Sequence, residues 1–263
     1  MSTPELAVAG RMAGADFLKL RKRRGIVIWA LVLTTAPVLV YFLVRAGQHS
    51  SNPSEHPVAG GLPGYADALR IVALFFGPLA AILIGTEAGL GDSAAGVFRD
   101  LVATGRSRLT LFATRVPAAL ALTWLVALAG YAVVAAGTYA FASHAPTPGG
   151  ALMVNGLAFT ILSTGVVCVV AVGFAALTAS RAAALTVLIG WHLVASPVLA
   201  GISSLGNVRK LILSQGVAHF SPVHLGTRAE SVTMAQGTAI AVMAVWIAVF
   251  LALGAWRTNT MDA

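Results

Sequence analysis

From Val116 to Ser180 the chain carries no Asp, Glu, Lys or Arg. A soluble fold cannot leave sixty-five consecutive residues without a charge, because every surface element needs polar groups toward water. Nor can one helix hold them, since a bilayer core of about 30 Å takes about 20 residues. Ser143–Gly150, with Pro146, Pro148, Gly149 and Gly150, divides the stretch into two apolar segments. The rest of the chain agrees. Only 10% of the 263 residues are charged, 58% are hydrophobic, and the mean hydropathy is +0.86. A typical soluble domain is about a quarter charged. A soluble enzyme and a disordered chain are both excluded, leaving an all-α polytopic membrane protein.

Six spans are expected, within a single transmembrane domain covering 1–263. They run about 26–44, 70–88, 116–142, 151–179, 182–203 and 236–256. Twelve basic residues fall on one side of this topology and five on the other. Basic residues collect on the cytoplasmic side, so both termini are expected inside, in the cytoplasmic membrane. Six of the twelve precede the first span: Arg11, Lys19, Arg21, Lys22, Arg23 and Arg24. Beside an apolar segment, Lys19, Arg21, Lys22, Arg23 and Arg24 read as an anchor to the bilayer surface. Nucleic acid is not expected as a partner, despite a net charge of +8, because no aromatic residues interleave with the cluster. Within 1–24, Leu6, Ala9, Ala13, Phe17 and Leu20 share one helical face, which predicts an amphipathic interfacial helix. No cleavable signal peptide is expected, since a long polar segment precedes the first apolar run.

On the opposite side, 45–69 reads as an irregular loop. Segment 204–235 is longer and semi-apolar, with a short helix expected at 208–216 and a turn at Ser221-Pro222. Such a segment re-enters the membrane only if buried in protein. On the cytoplasmic side, 89–114 reads as a Gly91-Asp92-Ser93 turn, a short helix over 94–103, a Thr104-Gly105 break and a basic lead-in to the third span.

The chain has no catalytic or nucleotide-binding set of its own. A P-loop needs a lysine directly after glycine, and none of Lys19, Lys22 and Lys210 follows one. No catalytic residue, bound cofactor or metal site is therefore assigned. Gly91-Asp92-Ser93-Ala94-Ala95-Gly96 is only a weak match to a nucleophile turn, and His219 with His224 lacks the further ligands zinc requires. The single cysteine, Cys168, lies in an apolar run and reads as a small buried hydrophobe. Polar residues within spans are costly and so informative. Glu87 closes the second span and is read as an interfacial acid paired with an arginine of the adjoining loop. Asn155 and His192 lie deeper, as pathway-lining or interhelical hydrogen-bonding groups. Gly85 and Gly89 form a GxxxG that suits close packing, within a bundle or between two chains.

The stretch from Glu87 through Gly96-Val97-Phe98-Arg99-Asp100-Leu101-Val102-Ala103-Thr104-Gly105-Arg106-Ser107-Arg108 to Leu111 and Arg115 resembles the membrane subunits of ABC-2 type ABC exporters. The family shows there an acid, a short apolar helix, a turn and a basic start to the next span. Length, six spans, a basic N-terminal helix and a long last outer segment resemble that family as well. Phe98-Arg99 and Thr104-Gly105 depart from its commoner residues.

The resemblance implies a type V exporter-like transmembrane domain. It implies a partner complex of two cytoplasmic ABC ATPase subunits, which bind the ATP and Mg, and a second permease subunit in a homo- or heterodimer. A coupling helix between spans two and three would dock on the ATPase, using Glu87, Val97, Phe98, Arg99, Leu101, Arg106 and Arg108. The substrate would be hydrophobic or amphipathic. The alternative is an ATP-independent channel or secondary carrier. A carrier should show broken helices at matching positions of an internal repeat. Pro37, Pro78 and Pro197 interrupt spans one, two and five, which gives no clean pairing.

Overall fold

The computed structural model describes residues 3–94, 107–223 and 232–260. The described chain is helical and contains no strand. Its elements are α1 (Thr3–Lys22), α2 (Arg24–Ser51), α3 (Gly61–Arg70), α4 (Gly77–Ala94), α5 (Arg108–Ala140), α6 (Gly150–Thr178), α7 (Arg181–Gly190), α8 (Ser196–Gly201), α9 (Leu213–Ala218) and α10 (Gln236–Thr260). Two π-helical segments, Ile71–Phe76 and Trp191–Ala195, join α3 to α4 and α7 to α8. A 3-10 stretch, Ser203–Leu211, precedes α9. Six helices are long and apolar enough to cross a membrane: Arg24–Ser51, Gly61–Leu90, Arg108–Ala140, Gly150–Thr178, Arg181–Gly201 and Gln236–Thr260. We refer to these as spans 1 to 6, to the end near α1 as the basic end, and to the other as the far end.

Spans 2, 3 and 4 form the centre, and span 1 packs against span 3. Between apolar helices in lipid the hydrophobic effect supplies little, so small residues that allow close approach decide the seams. Gly85 and Gly89 lie directly on the span 4 backbone at Cys168–Ala176. The GxxxG is therefore an internal seam. Gly130 fits against Thr34, and Gly137 against the Phe42 ring. Near the far end the buried Tyr65 hydroxyl meets the Tyr131 hydroxyl at 3.0 Å and donates to the Leu152 carbonyl at 3.1 Å. Among the described residues two large core clusters result, with a small third one around Leu90, Ala175 and Ala184. One, toward the far end, is built around Phe42, Tyr65, Leu69, Val134 and Phe159. The other, toward the basic end, is built around Ala80, Ile84, Ala119, Leu122 and Cys168.

Three expectations about connections change. The segment 45–69 is not one irregular loop: span 1 stays helical to Ser51 and span 2 starts at Gly61. Low hydropathy limited the apolar core there, but nothing stopped the helices. Inside α3, Asp67 accepts from Tyr41 at 3.1 Å and pairs with Arg70 at 3.3 Å, so its charges are satisfied within the bundle. The remaining connection is tied to the span 3–4 loop, Gly60 N–H donating to the Phe141 carbonyl at 2.9 Å and Leu62 N–H to that of Pro146 at 2.8 Å. The Gly91-Asp92-Ser93 turn is absent, since the backbone remains helical through Ala94. The helix at 208–216 is instead two pieces, a 3-10 turn and α9, separated at Ile212. In that 3-10 stretch Gly206 has φ +50°, a conformation glycine adopts without penalty. The following α9 folds back onto span 6 and buries Leu213 and Val217 in the core.

The N-terminal segment is helical as α1, and of its expected apolar face the Leu6 side chain lies outside the described ones. Leu20 is buried, Ala9, Ala13 and Phe17 are partly buried, and Arg11 and Lys22 are exposed. The turn between spans 4 and 5 is tight. Ala179 closes α6 in the left-handed region at φ 51°, and Ser180 then caps α7 by accepting from the Ala183 N–H at 3.4 Å.

Candidate functional site

Two regions concentrate polar groups that an apolar bundle would otherwise exclude. The first is at the basic end. Glu87, near the end of span 2, is only 4% exposed. One carboxylate oxygen meets the Arg23 guanidinium, and the other lies 3.5 Å from that of Arg181. Arg23 sits at the junction of α1 and span 1, and Arg181 opens span 5. The acid thus draws the N-terminal helix, span 2 and span 5 to one point. The expected pairing with an arginine holds, but among the described residues the partners are not from the adjoining loop. Burial makes the pairing necessary, since an isolated buried carboxylate is too costly.

Around this knot the spans are cross-tied. Arg115, buried near the start of span 3, donates to the Gly89 carbonyl at 2.9 Å. Thr114 donates to Asp16 of α1 at 3.0 Å. Arg108 donates to the Asn259 carbonyl at 3.1 Å, joining spans 3 and 6. Ser107 caps span 3 by accepting from the Thr110 N–H at 3.1 Å. Val97, Phe98, Arg99, Leu101 and Arg106, and the helix expected over 94–103, lie outside the described residues apart from Ala94 itself. Of the basic cluster, Arg21, Lys22 and Arg24 are exposed and Lys19 pairs with Asp16 at 3.4 Å. Arg23 differs, because it turns to Glu87. Sequence reasoning missed Arg115, Asp16 and Arg181 as partners. The signal was their position beside span ends, where any of several acids and bases could pair.

The second region is a cavity of about 260 Å³ between spans 2, 4, 5 and 6, closed toward the far end by α9. Span 5 is the least buried of the six spans. In span 4, 67% of the membrane-length window is buried, against 11% in span 5. Its walls are apolar except for His192, Ser163, Ser196 and Ser214. Ser163 donates to the Ala73 carbonyl at 2.5 Å, and the Ser196 and Ser214 hydroxyls meet at 2.6 Å. His192 Nε2 is buried and makes no hydrogen bond. Four aromatic rings run along one side. Trp191 lies 5.7 Å from Trp246, Trp246 lies 5.5 Å from Phe250, and Phe250 lies 5.6 Å from Phe174, centroid to centroid.

Both π segments border this cavity, contributing Leu74 from span 2 and Trp191 with His192 from span 5. Each is followed within two residues by a proline, Pro78 or Pro197. Proline has no N–H, and its ring crowds the carbonyl four residues earlier. Widening the turn relieves that clash, with Gly77 N–H reaching the Val72 carbonyl and Ser196 N–H that of Trp191, five residues back. Span 1 absorbs Pro37 in ordinary α-helix. Asn155, the other polar residue expected in a pathway, is exposed one turn into span 4 and does not border the cavity. The structure therefore does not bring His192 and Asn155 together.

Among the described residues no three His, Cys, Asp or Glu side chains converge as a metal site would require. Cys168 is fully buried and accepts from the Thr123 hydroxyl at 3.2 Å. Comparison of the chain with models of known protein families and with curated proteins found no match.

Proposed function

We propose that this chain is the membrane-spanning permease subunit of an ATP-binding cassette exporter of the ABC-2 type. It moves a hydrophobic or amphipathic substrate across the cytoplasmic membrane, with both termini in the cytoplasm. It is not an enzyme by itself. Two copies of a cytoplasmic ABC ATPase bind and hydrolyse ATP with Mg, and a second permease subunit, identical or related, completes the pore. The observation that carries this reading is the Arg23–Glu87–Arg181 knot. It lies at the end of span 2, just before the basic loop that resembles the family's coupling segment. A push on that loop reaches α1 and span 5 through a shared buried acid. Span 5 is the loosely packed wall of the cavity, so it is the span most free to respond.

One observation favours the second reading, an ion-coupled carrier. The two proline-linked π segments lie in spans 2 and 5, the middle spans of the two three-span halves. Broken helices at corresponding positions mark substrate sites in such carriers.

Purification of the tagged chain from its native membrane in mild detergent separates the two. A stoichiometric P-loop ATPase should co-purify and should be lost when Val97 and Leu101 are both changed to Asp. A stable assembly with no ATPase, unchanged by those substitutions, moves the assignment to the carrier.

Orientation has its own test. Cys168 is fully buried and should stay silent toward maleimides. In intact cells stripped of any outer barrier, Ser54→Cys should react fully with a membrane-impermeant maleimide. Asn259→Cys should react at least tenfold faster after the membrane is opened. The reverse pattern would invert the topology.

A further inference from the structure

We propose that the cavity between spans 2, 4, 5 and 6 binds a neutral, flat aromatic molecule that carries one hydroxyl or N–H, which the His192 imidazole accepts. This names the ligand class of the transport reading and rests on that reading for its purpose. Binding itself needs no ATPase, so either idea can fail alone.

At about 30 Å³ of liquid volume per water, 260 Å³ equals about nine waters. Apolar cavities do not hold water well, because each molecule needs two to four polar partners. Here Ser163 donates to the Ala73 carbonyl, and the Ser196–Ser214 contact uses one of that pair's two O–H donors, so few polar partners are left for water. The space is therefore suited to an apolar guest. Such pockets, apolar and aromatic with a few placed polar groups, are the usual form of a small-molecule site.

The file of Trp191, Trp246, Phe250 and Phe174 offers ring faces and edges on one wall. Aromatic rings stack offset or edge-to-face, and a flat guest gains from both. Trp246 is held in place by donating its indole N–H to the Leu211 carbonyl at 2.9 Å. The wall is thus a fixed surface.

The polar group sets the ligand's own polarity. Pro78 cannot donate to the Leu74 carbonyl, its α-helical partner. Leu74 lines the cavity together with His192. A neutral imidazole has one N–H donor and one acceptor nitrogen. With the N–H on Nδ1, the buried Nε2, which has no partner among the described residues, is the acceptor left for a guest. A guest with a hydroxyl or N–H completes the site, and one without it leaves the nitrogen unpaired.

The test uses the purified protein in lipid nanodiscs, without ATPase or ATP. In every protein tested Trp29, Trp124 and Trp256, which lie outside the cavity, are replaced by Phe, so that Trp191 and Trp246 alone report through their emission. The probes are 6-bromo-2-naphthol and 2-bromonaphthalene, heavy-atom quenchers that differ by one hydroxyl. Wild type should show saturable quenching, with the naphthol binding about fivefold tighter, the worth of one hydrogen bond. His192→Leu should erase that preference. Val167→Phe, which fills the cavity, should weaken both probes at least tenfold.

Quenching that rises linearly with probe, as lipid partitioning gives, overturns the proposal. So does quenching indifferent to Val167→Phe, or a hydroxyl preference that survives His192→Leu. If a variant loses its cooperative melt, the two probes on wild type decide alone: a saturable preference for the naphthol supports the site, and equal affinities overturn it. An ATPase that co-purifies while no probe binds would refute the ligand site and leave the exporter reading standing.

Discussion

Replacing Gly85 by leucine is expected to abolish the folded protein, leaving only aggregate on size-exclusion chromatography in detergent. A Cβ at Gly85 would lie 2.6 Å from the Cys168 carbonyl oxygen and 2.8 Å from the Ala171 Cβ. At Gly89 it would lie 2.5 Å from the Val172 carbonyl oxygen and 2.9 Å from the Ala175 Cβ. These contacts are with backbone and with side chains that cannot rotate away, so the two helices would have to separate. Separation opens the most extensive seam of the bundle along the length of span 4. Even Gly85→Ala should cost about 1–3 kcal/mol, the usual range for overpacking, and lower the melting temperature by several degrees. Gly47→Leu is the control, since nothing lies within 4 Å of a Cβ there, and it should melt within a degree or two of wild type. Normal elution of Gly85→Leu would show that spans 2 and 4 are not packed through this glycine face.

That seam illustrates what a sequence of this kind discloses. Two glycines four apart announced close packing, but an identical pattern serves a dimer. Only the opposing Cys168–Ala176 backbone decides between the two uses. The spans themselves were legible because the bilayer demands about twenty apolar residues and forbids unpaired backbone. Their far-end boundaries were not. Asp67 and Arg70 satisfy each other one helical turn apart, and Tyr41 of another span completes the set, so a polar sequence continues as helix.

The cavity was half legible. His192 and Asn155 looked alike, each a lone polar residue in an apolar span. Their difference lies in the neighbours: His192 turns into a cavity lined by spans 2, 4 and 6, while Asn155 is exposed on span 4. The prolines were visible as well. Yet Pro37 leaves its helix regular while Pro78 and Pro197 follow π turns. Local residue type does not distinguish these outcomes, so the pairing of spans 2 and 5 emerged only in three dimensions. At the basic end, Glu87 demanded a cation, and the number of arginines near span ends kept its partners ambiguous until the fold placed them.

Reversing the charge at that acid should have the second large effect. Glu87→Lys would set an ammonium among the Arg23 and Arg181 guanidinium groups, at a position only 4% exposed. Two charges 4 Å apart interact by about 4 kcal/mol near a protein surface. Both arginines are about half exposed, so solvent screening reduces the penalty to about 2 kcal/mol. Loss of the original pairs adds to this. The melting temperature in detergent should fall by ten degrees or more. Glu87→Gln keeps the shape and one acceptor oxygen, and should fall by only a few degrees. Combining Glu87→Lys with Arg23→Glu restores an ion pair of opposite sense and should recover about half the loss, since Arg181 still faces the lysine. Equal melting of the Gln and Lys variants, with no recovery in the double variant, would mean that the knot carries no electrostatic weight. Under the exporter reading the Gln variant has a further signature: the ATPase still co-purifies, while transport falls because span 5 is no longer held to the end of span 2.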